Sequence, residues 1–296
     1  MQISHQPWRP VTDKIWVTVA QPASVNIGLV AGDDHVLMVD TGSTPEQGRQ
    51  LAASAAELLG REVDRVVVTH AHYDHFFGLA GVAGAQSFGH EALIEALSSD
   101  DTARGCENLG ISPDHLVAPS DPFSLVHALD LGGLRVEFLH FGPAHTQADV
   151  LVHVPSEGVW FTGDLVETDG DIQVGTDSSV QSWPMALDGI LGAADNSTIY
   201  VPGHGPVTNR IGVYEQRTNI GILYGSAEGL VRRGVKLETA LAALDNPGTP
   251  EAPHPGASEW DWPFSTDTVR QALPKLYDEL AAKGQVPRTQ LPISGI

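Results

Sequence analysis

Three valines, Val66 to Val68, run straight into Thr69-His70-Ala71-His72-Tyr73-Asp74-His75. A segment this apolar reads as a strand buried in a sheet, yet it ends on three imidazoles and a carboxylate. Burying those groups unpaired is costly, so the fold must bring them to a rim where a partner satisfies them. In extended chain, residues 70, 72 and 74 face one side and residue 75 the other. A bend after His72 then separates His70 and His72 from Asp74 and His75. Each pair can begin the shell of one metal ion.

Polar residues end apolar segments three more times: His145 in "FGPAHT", Asp164 in "FTGD" and His204 in "VPGHGP". Strand ends in α/β architectures share one rim, where residues far apart in sequence converge. Zinc takes about four ligands, and a catalytic zinc keeps one position for water, so His145, Asp164 and His204 are the natural remaining ligands. A carboxylate can bridge two ions through its two oxygens and an imidazole cannot, which suits Asp164 to the bridging position. Two ions ~3.5–4 Å apart can share a hydroxide and bring the pKa of water toward neutrality. This set of imidazoles and carboxylates suits two Zn2+, with Fe or Mn also compatible. The histidines elsewhere (His5, His35, His90, His115, His127, His140, His153 and His254) read as surface or satisfied core residues.

The rest of the chain alternates strand and helix patterns. "KIWVTV", "VNIGLVA" and "HVLMVD" are short strands between Pro, Asn, Gly and Asp turn signals. Ser43 or Thr44 can cap a helix whose first turn holds Pro45 and whose apolar face holds Leu51, Ala55, Leu58 and Leu59. "VDRVVVT" is a fourth strand, followed by a helical turn, a strand near "AQSFG" and a helix through "HEALIEAL". "LRVEFLHF", the hairpin "DVLVHVPSEGVWFTGD" and "STIYVPGHGP" form a second strand block. From Asn209 onward the pattern is helical, interrupted by the Pro/Gly-rich loop "DNPGTPEAPHPGASEWDWPF". The expected architecture is α/β: two stacked sheets with helices on both outer faces. Residues 1–296 read as one domain, about 1–210 forming the core sandwich and about 211–296 a helical extension.

Charge narrows the partners. Lys and Arg number 16 against 37 Asp and Glu, a net of −21, which repels phosphate backbones and anionic bilayers alike. The expected partner is a small-molecule substrate, with no nucleic acid and no membrane; oligomeric state leaves no signature. Cys106 is the only cysteine, so no intrachain disulfide and no thiolate cluster can form. The N-terminal residues show no signal-peptide apolar core and no window is apolar enough to span a bilayer, so a cytoplasmic protein is expected.

"THAHYDH", "GPAHT", "FTGD" and "PGHG", in that order, resemble the motifs of the metallo-β-lactamase superfamily. "VLMVDTG" resembles its first motif, so the likeness runs from about Ile15 to Val207. It implies a four-layer αββα sandwich with a dinuclear site on one edge. By that pattern His70, His72 and His145 hold one metal, Asp74, His75 and His204 the second, and Asp164 bridges; Asp40 supports the site. Dedicated β-lactamases of the superfamily generally lack the bridging aspartate, and one class uses a cysteine ligand. With Asp164 present and Cys106 outside the motifs, the chain looks closer to glyoxalase II and its hydrolase relatives. "FTGDLVE", "SWPMALDGIL" and "IYVPGHGPV" resemble a quinoprotein-relay or SoxH-like branch.

Glu167 stands where lactonases of acyl-homoserine lactones typically carry a tyrosine. Arg232, Arg233 and Lys236 could imitate the basic glutathione site of glyoxalase II, but read more simply as a solvated helix face. Nuclease relatives need basic surfaces that this chain lacks.

The expected activity is hydrolysis of an ester, thioester or lactone by a bridging hydroxide, with Asp74 as the catalytic carboxylate that orients the nucleophile and shuttles its proton. β-Lactam hydrolysis is one alternative. A mononuclear iron dioxygenase of the same fold is the other, disfavoured by the complete ligand set. Candidate substrate contacts are Tyr73, Phe76, Trp260 and Trp262. Phe77 could join Phe76 on the pocket wall, and the loop with Phe264 would be either a lid or a staple for the last helix.

Overall fold

The computed structural model describes residues 3–245 and 262–288. Its first half runs β1 (Ser4–His5), β2 (Arg9–Pro10), β3 (Ile15–Gln21), β4 (Val25–Ala31), β5 (Val36–Val39), α1 (Pro45–Leu59), β6 (Arg65–Val67) and α2 (Tyr73–Phe76). Then come β7 (Gln86–His90), α3 (Ala92–Ala96), α4 (Asp100–Leu109) and β8 (Asp121–Phe123). The second half holds β9 (Val126–Asp130), β10 (Arg135–Leu139), β11 (Leu151–Val154), β12 (Val159–Glu167), α5 (Trp183–Gly192) and β13 (Ile199–His204). It closes with α6 (Arg210–Arg232), α7 (Leu237–Asp245) and α8 (Thr266–Ala282).

Strand order is β8-β7-β6-β5-β4-β13-β12-β11-β10-β9, with β3 on the flank of β4 carrying β1 and β2. The halves meet at a single pair, His204 with Val25. That narrow seam lets the sheet fold back on itself into two facing layers.

Side-chain parity builds the layers. In β5, Leu37 and Val39 turn inward and pack with Phe88, Val136, Phe138, Val152 and Phe161 between the sheets. Val36 and Met38 turn outward and pack with Leu51 and Ala55 of α1. On the far side, Trp160 and Tyr200 pack with Leu187 and Ile190 of α5, Leu223 of α6 and Leu276 of α8. The result is the expected αββα sandwich, and the helices after Asn209 form its second outer layer.

Local signals set the elements. Thr44, rather than Ser43, caps α1, its hydroxyl accepting from Gln47 N at 3.1 Å, while Gln47 Oε1 accepts from Ser43 N at 2.7 Å. Gly60, at φ 66, ends the helix. The β11–β12 hairpin turns at Pro155–Glu157, with Gly158 at φ 63, as the sequence implies. Among the described residues no helix is long and apolar enough to cross a membrane.

Candidate metal centre

Each candidate ligand reaches the rim for a local reason. His70 and His72 follow the end of β6, and His72, extended at φ −71 and ψ 149, precedes the one-turn helix α2. That turn swings Asp74 and His75 away from His72, which is the bend the spacing requires. His145 lies on the β10–β11 loop, Asp164 inside β12, and His204 ends β13 at the seam. Two donor groups result: His70, His72, His145 and Asp164, and beside them Asp74, His75 and His204, the donors within each lying no more than 4.8 Å apart.

Asp164 touches both groups. Its Oδ1 is 3.1 Å from His75 Nε2, while its Oδ2 lies 3.6 Å from His70 Nε2, 3.5 Å from His145 Nε2 and 3.6 Å from His204 Nε2. Asp74 Oδ2 sits 3.3 Å from His204 Nε2 and 3.8 Å from His75 Nε2.

A surrounding shell fixes the rings. His75 Nδ1 is 2.8 Å from Asp40 Oδ2, and Asp40 also accepts from Thr69 N at 2.7 Å and Thr69 Oγ1 at 2.8 Å. His145 Nδ1 is 3.1 Å from the Gln173 carbonyl. With Nδ1 committed to these partners, each ring presents its Nε2 to the centre beside Asp164. His72 differs: its Nδ1 faces inward, 3.0 Å from His145 Nε2, and its Nε2 lies 3.8 Å from Asp177 Oδ2.

Three further residues shape the centre that sequence reasoning misses. Asp149 accepts from Ala144 N (3.2 Å), Thr146 N (2.9 Å) and Thr146 Oγ1 (2.8 Å), closing the loop that carries His145. Burial outweighs these donors and pushes the Asp149 carboxyl up to about 7. Asn26 donates to the carbonyls of Pro202 (2.9 Å) and Gly205 (2.7 Å), pinning the end of β13. Gln216 of α6 acts on β12. The β12–β13 register shifts on both sides of Gly163, so the backbone after it leaves the ladder. Gln216 Nε2 and Trp183 Nε1 donate to the Leu165 carbonyl at 2.6 and 3.0 Å, and Gln216 Oε1 accepts from Glu167 N at 2.9 Å. These bonds replace the lost ladder and leave the Asp164 side chain facing the centre. Gly203 packs against that side chain so closely that a Cβ there would overlap Asp164 Oδ1. The buried-strand start "ADVLV" is the one sequence signal for Asp149; nothing in the local sequence marks Gln216.

The donor chemistry fits bound cations. His70 Nε2, His75 Nε2 and Asp164 Oδ1 are buried and have no hydrogen-bond partner. Burial, then the charge on His75, holds His70 well below its ordinary range, and burial with His72 brings His145 down to about 3. The opposite holds beside the carboxylates. Burial disfavours charge on His75, but Asp164, Asp40 and Asp74 raise it well above normal; His204, against the same burial, is raised to about 10 by Asp164 and Asp74. Asp164 is buried, yet His75 and His70 hold it well below its ordinary range. Two carboxylates thus demand positive charge at this spot, which either imidazolium or a divalent cation can supply.

A cavity of about 280 Å³ opens on the centre, lined by His72, Tyr73, Asp74, Asp164, Glu167, Gln173 and His204 among others. Burial and Asp164 push the Glu167 carboxyl up to about 8. Tyr73 lines the mouth, half exposed. Phe76, expected at the substrate, is instead buried with Leu79 and Leu51 in the outer core and lines neither this cavity nor the larger groove beside it. It points inward because the turn that aims Asp74 at the centre leaves position 76 facing the sheet. Phe77 is buried too, though its ring reaches the wall of that groove. Trp262 and Phe264 pack on the cluster formed with α8, as a staple would; Trp260 lies outside the described residues. Arg232 pairs with Glu228 at 2.9 Å on the surface of α6. His35 pairs with Asp64, and His153 stacks on Trp160; neither approaches the metal-ligand groups.

Buried His/Asp donor groups of this kind on the rim of an αββα sandwich define a class of metal-site proteins. Residues 20–204 match the family model of the metallo-beta-lactamase superfamily, and the chain belongs to that superfamily. The chain is 25% identical over 177 residues to a metallo-beta-lactamase type 2 of Bacillus cereus, covering 59% of this chain and 64% of that relative. It thus spans less than two thirds of that relative's length. It is 28% identical to a probable metallo-hydrolase of Streptococcus pyogenes, over 68% of this chain and 88% of the relative. Among solved structures, a metallo-beta-lactamase from Pontibacter korlensis superposes with a TM-score of 0.59 at 21% identity, covering 74% of this chain and 99% of its own. A variant of the sec-alkyl sulfatase PisA1 gives 0.70 at 18% identity, over 91% of this chain and 50% of its own. These two likenesses concern the fold.

Proposed function

We propose that this chain is a hydrolase that cleaves an ester, thioester or lactone of a small molecule in a cytoplasmic setting. In this reading His70, His72 and His145 hold one metal, Asp74, His75 and His204 the second, and Asp164 joins them, with zinc as the leading metal. The observation that carries it is the position of Asp164, whose two oxygens face both donor groups while buried imidazole nitrogens around it lack partners. Bound divalent ions would supply Lewis acidity, lowering the pKa of water and polarising a carbonyl oxygen.

The chain's own residues supply the rest. Asp74 holds the attacking water in line and takes its proton, with His204 3.3 Å away restraining its carboxylate. Burial, then Asp74, raises the Tyr73 phenol above its ordinary value, so it remains a hydrogen-bond donor at the cavity mouth. Asp40 and the Gln173 carbonyl keep two ligand rings in one orientation, so little reorganisation accompanies reaction. The Bacillus relative gives β-lactam hydrolysis a place as second reading, since it attacks the same kind of carbonyl.

Metal content coupled to a panel of lactones, thioesters, esters, β-lactams and sulfate esters tests this. Two metals per chain with acyl hydrolysis are expected. A single iron per chain with oxygen consumption would overturn the hydrolase reading in favour of an oxygenase.

A further inference from the structure

A second groove, about 840 Å³, runs outward from the centre and shares His72, Tyr73 and Gln173 with the inner cavity. Its position makes it the place for the part of a substrate that does not react. Its wall is small or apolar at Ala71, Phe77, Ala92 and Val174, among others, and also carries hydroxyl, amide and acidic groups, His72 and Arg104.

The charges are one-sided. All 16 lysines and arginines lie among the described residues, so the positive side of the ledger is complete. Only Arg104 lines either cavity, and it is ion-paired with Asp101. Lys275, behind the groove wall, donates to the Thr176 carbonyl at 2.8 Å. Against these stand Glu95 and Asp177 in the groove and Asp169 in the inner cavity. Glu167 is 8% exposed and its Oε1 has no partner in the protein, so a polar group at the cavity wall is left for a ligand.

We infer that the groove selects acyl substrates whose non-reacting part is uncharged or cationic, and rejects those bearing a carboxylate, sulfate or phosphate there. The inference rests on the metal-centre reading above. A distal anion would enter beside Glu95 and Asp177 with no unpaired lysine or arginine to receive it. A distal ammonium would find those same carboxylates, and a neutral chain would find the apolar wall. Among acyl compounds this favours neutral lactones and esters over glutathione thioesters and β-lactams, both of which carry carboxylates.

Calorimetric binding of three matched benzohydroxamates to the zinc-loaded protein tests it, because hydroxamate anchors at metal whatever the enzyme hydrolyses. The para substituents are trimethylammonium, tert-butyl and carboxylate. The first two should bind at least ~10-fold tighter than the third at low salt, with the gap narrowing as salt rises. Glu95→Lys should narrow it further, and Arg104→Gln should leave the order intact. A carboxylate probe that binds as tightly as the others, a gap indifferent to salt, or selective loss of the carboxylate probe in Arg104→Gln would overturn the inference. So would failure of all three to bind with zinc present. If the probes follow the expected order but no ester, thioester or lactone is cleaved, the hydrolase reading fails and the groove's selectivity stands.

Discussion

Asp40 holds φ 64, a conformation that costs a non-glycine residue about 1–3 kcal/mol. In return its carboxylate reaches Thr69 N, Thr69 Oγ1 and His75 Nδ1 together. Asp40→Ala should therefore lower metal affinity about 10–100-fold, read by competition with a chromogenic chelator, while the fold persists; unchanged affinity would remove Asp40 from the site. Asp74→Asn should lower kcat by about 10²–10⁴ in steady-state assays on the best panel substrate, and a wild-type rate would refute its role. Phe76→Ala acts on the core instead. It opens a cavity there and should cost about 3–5 kcal/mol in denaturant unfolding, with specific activity of the folded fraction retained. The centre also sets a pH dependence in metal-free protein. His204 is raised from 6.5 to about 10, so its stabilising pairs with Asp164 and Asp74 are intact below pH 6.5 and fade as pH climbs through about 10. Asp164 is held below 3.8, so its contribution is present above that value and is lost as pH falls further. Thermal unfolding of the metal-free protein should therefore show a Tm that falls as pH rises from 6.5 to about 10, and a Tm that holds level or rises across that interval would contradict the assignment.

Elements carry the rest of the site. The strand-end donor residues were legible because His-X-His-X-Asp-His behind three valines is costly to bury unless a cation satisfies it, and the required bend appears as α2. The β12 bulge was not legible, since its partners, Trp183 and Gln216, lie 18 and 51 residues from the carbonyl they hold. Gln216→Leu should cost about 1–3 kcal/mol through the unpaired Glu167 N–H, with the Leu165 carbonyl left to Trp183 alone. Because those groups flank Asp164, it should also lower metal occupancy, measured by mass spectrometry, which a purely structural residue would leave alone. Helix α4 escaped sequence reading because its core-facing residues, Thr102, Cys106 and Leu109, are few and sit in a run otherwise made mostly of charged and polar residues. Strand β9 escaped because each of its residues is at least partly exposed, so no apolar run marks it. Phe76 was misplaced for the opposite reason: proximity in sequence to ligands says nothing about which side of a turn a ring takes.

At the scale of the whole molecule, two half-sheets joined by one residue pair put His204 at the seam, facing Asp74 and Asp164. The stacked sheets between helices expected from the two strand blocks follow from strand parity, with Leu37 and Val39 inward and Val36 and Met38 outward. What composition left open was where the acidity goes, and part of it lines the groove beside the centre. The central claim is that Asp164 joins two metal sites. Metal stoichiometry by native mass spectrometry on the wild-type chain and on Asp164→Asn tests it most directly. Two ions per wild-type chain, with at least one lost in Asp164→Asn, is the predicted result. A wild-type chain that binds one ion, or an Asp164→Asn variant that keeps both at unchanged affinity, would contradict it.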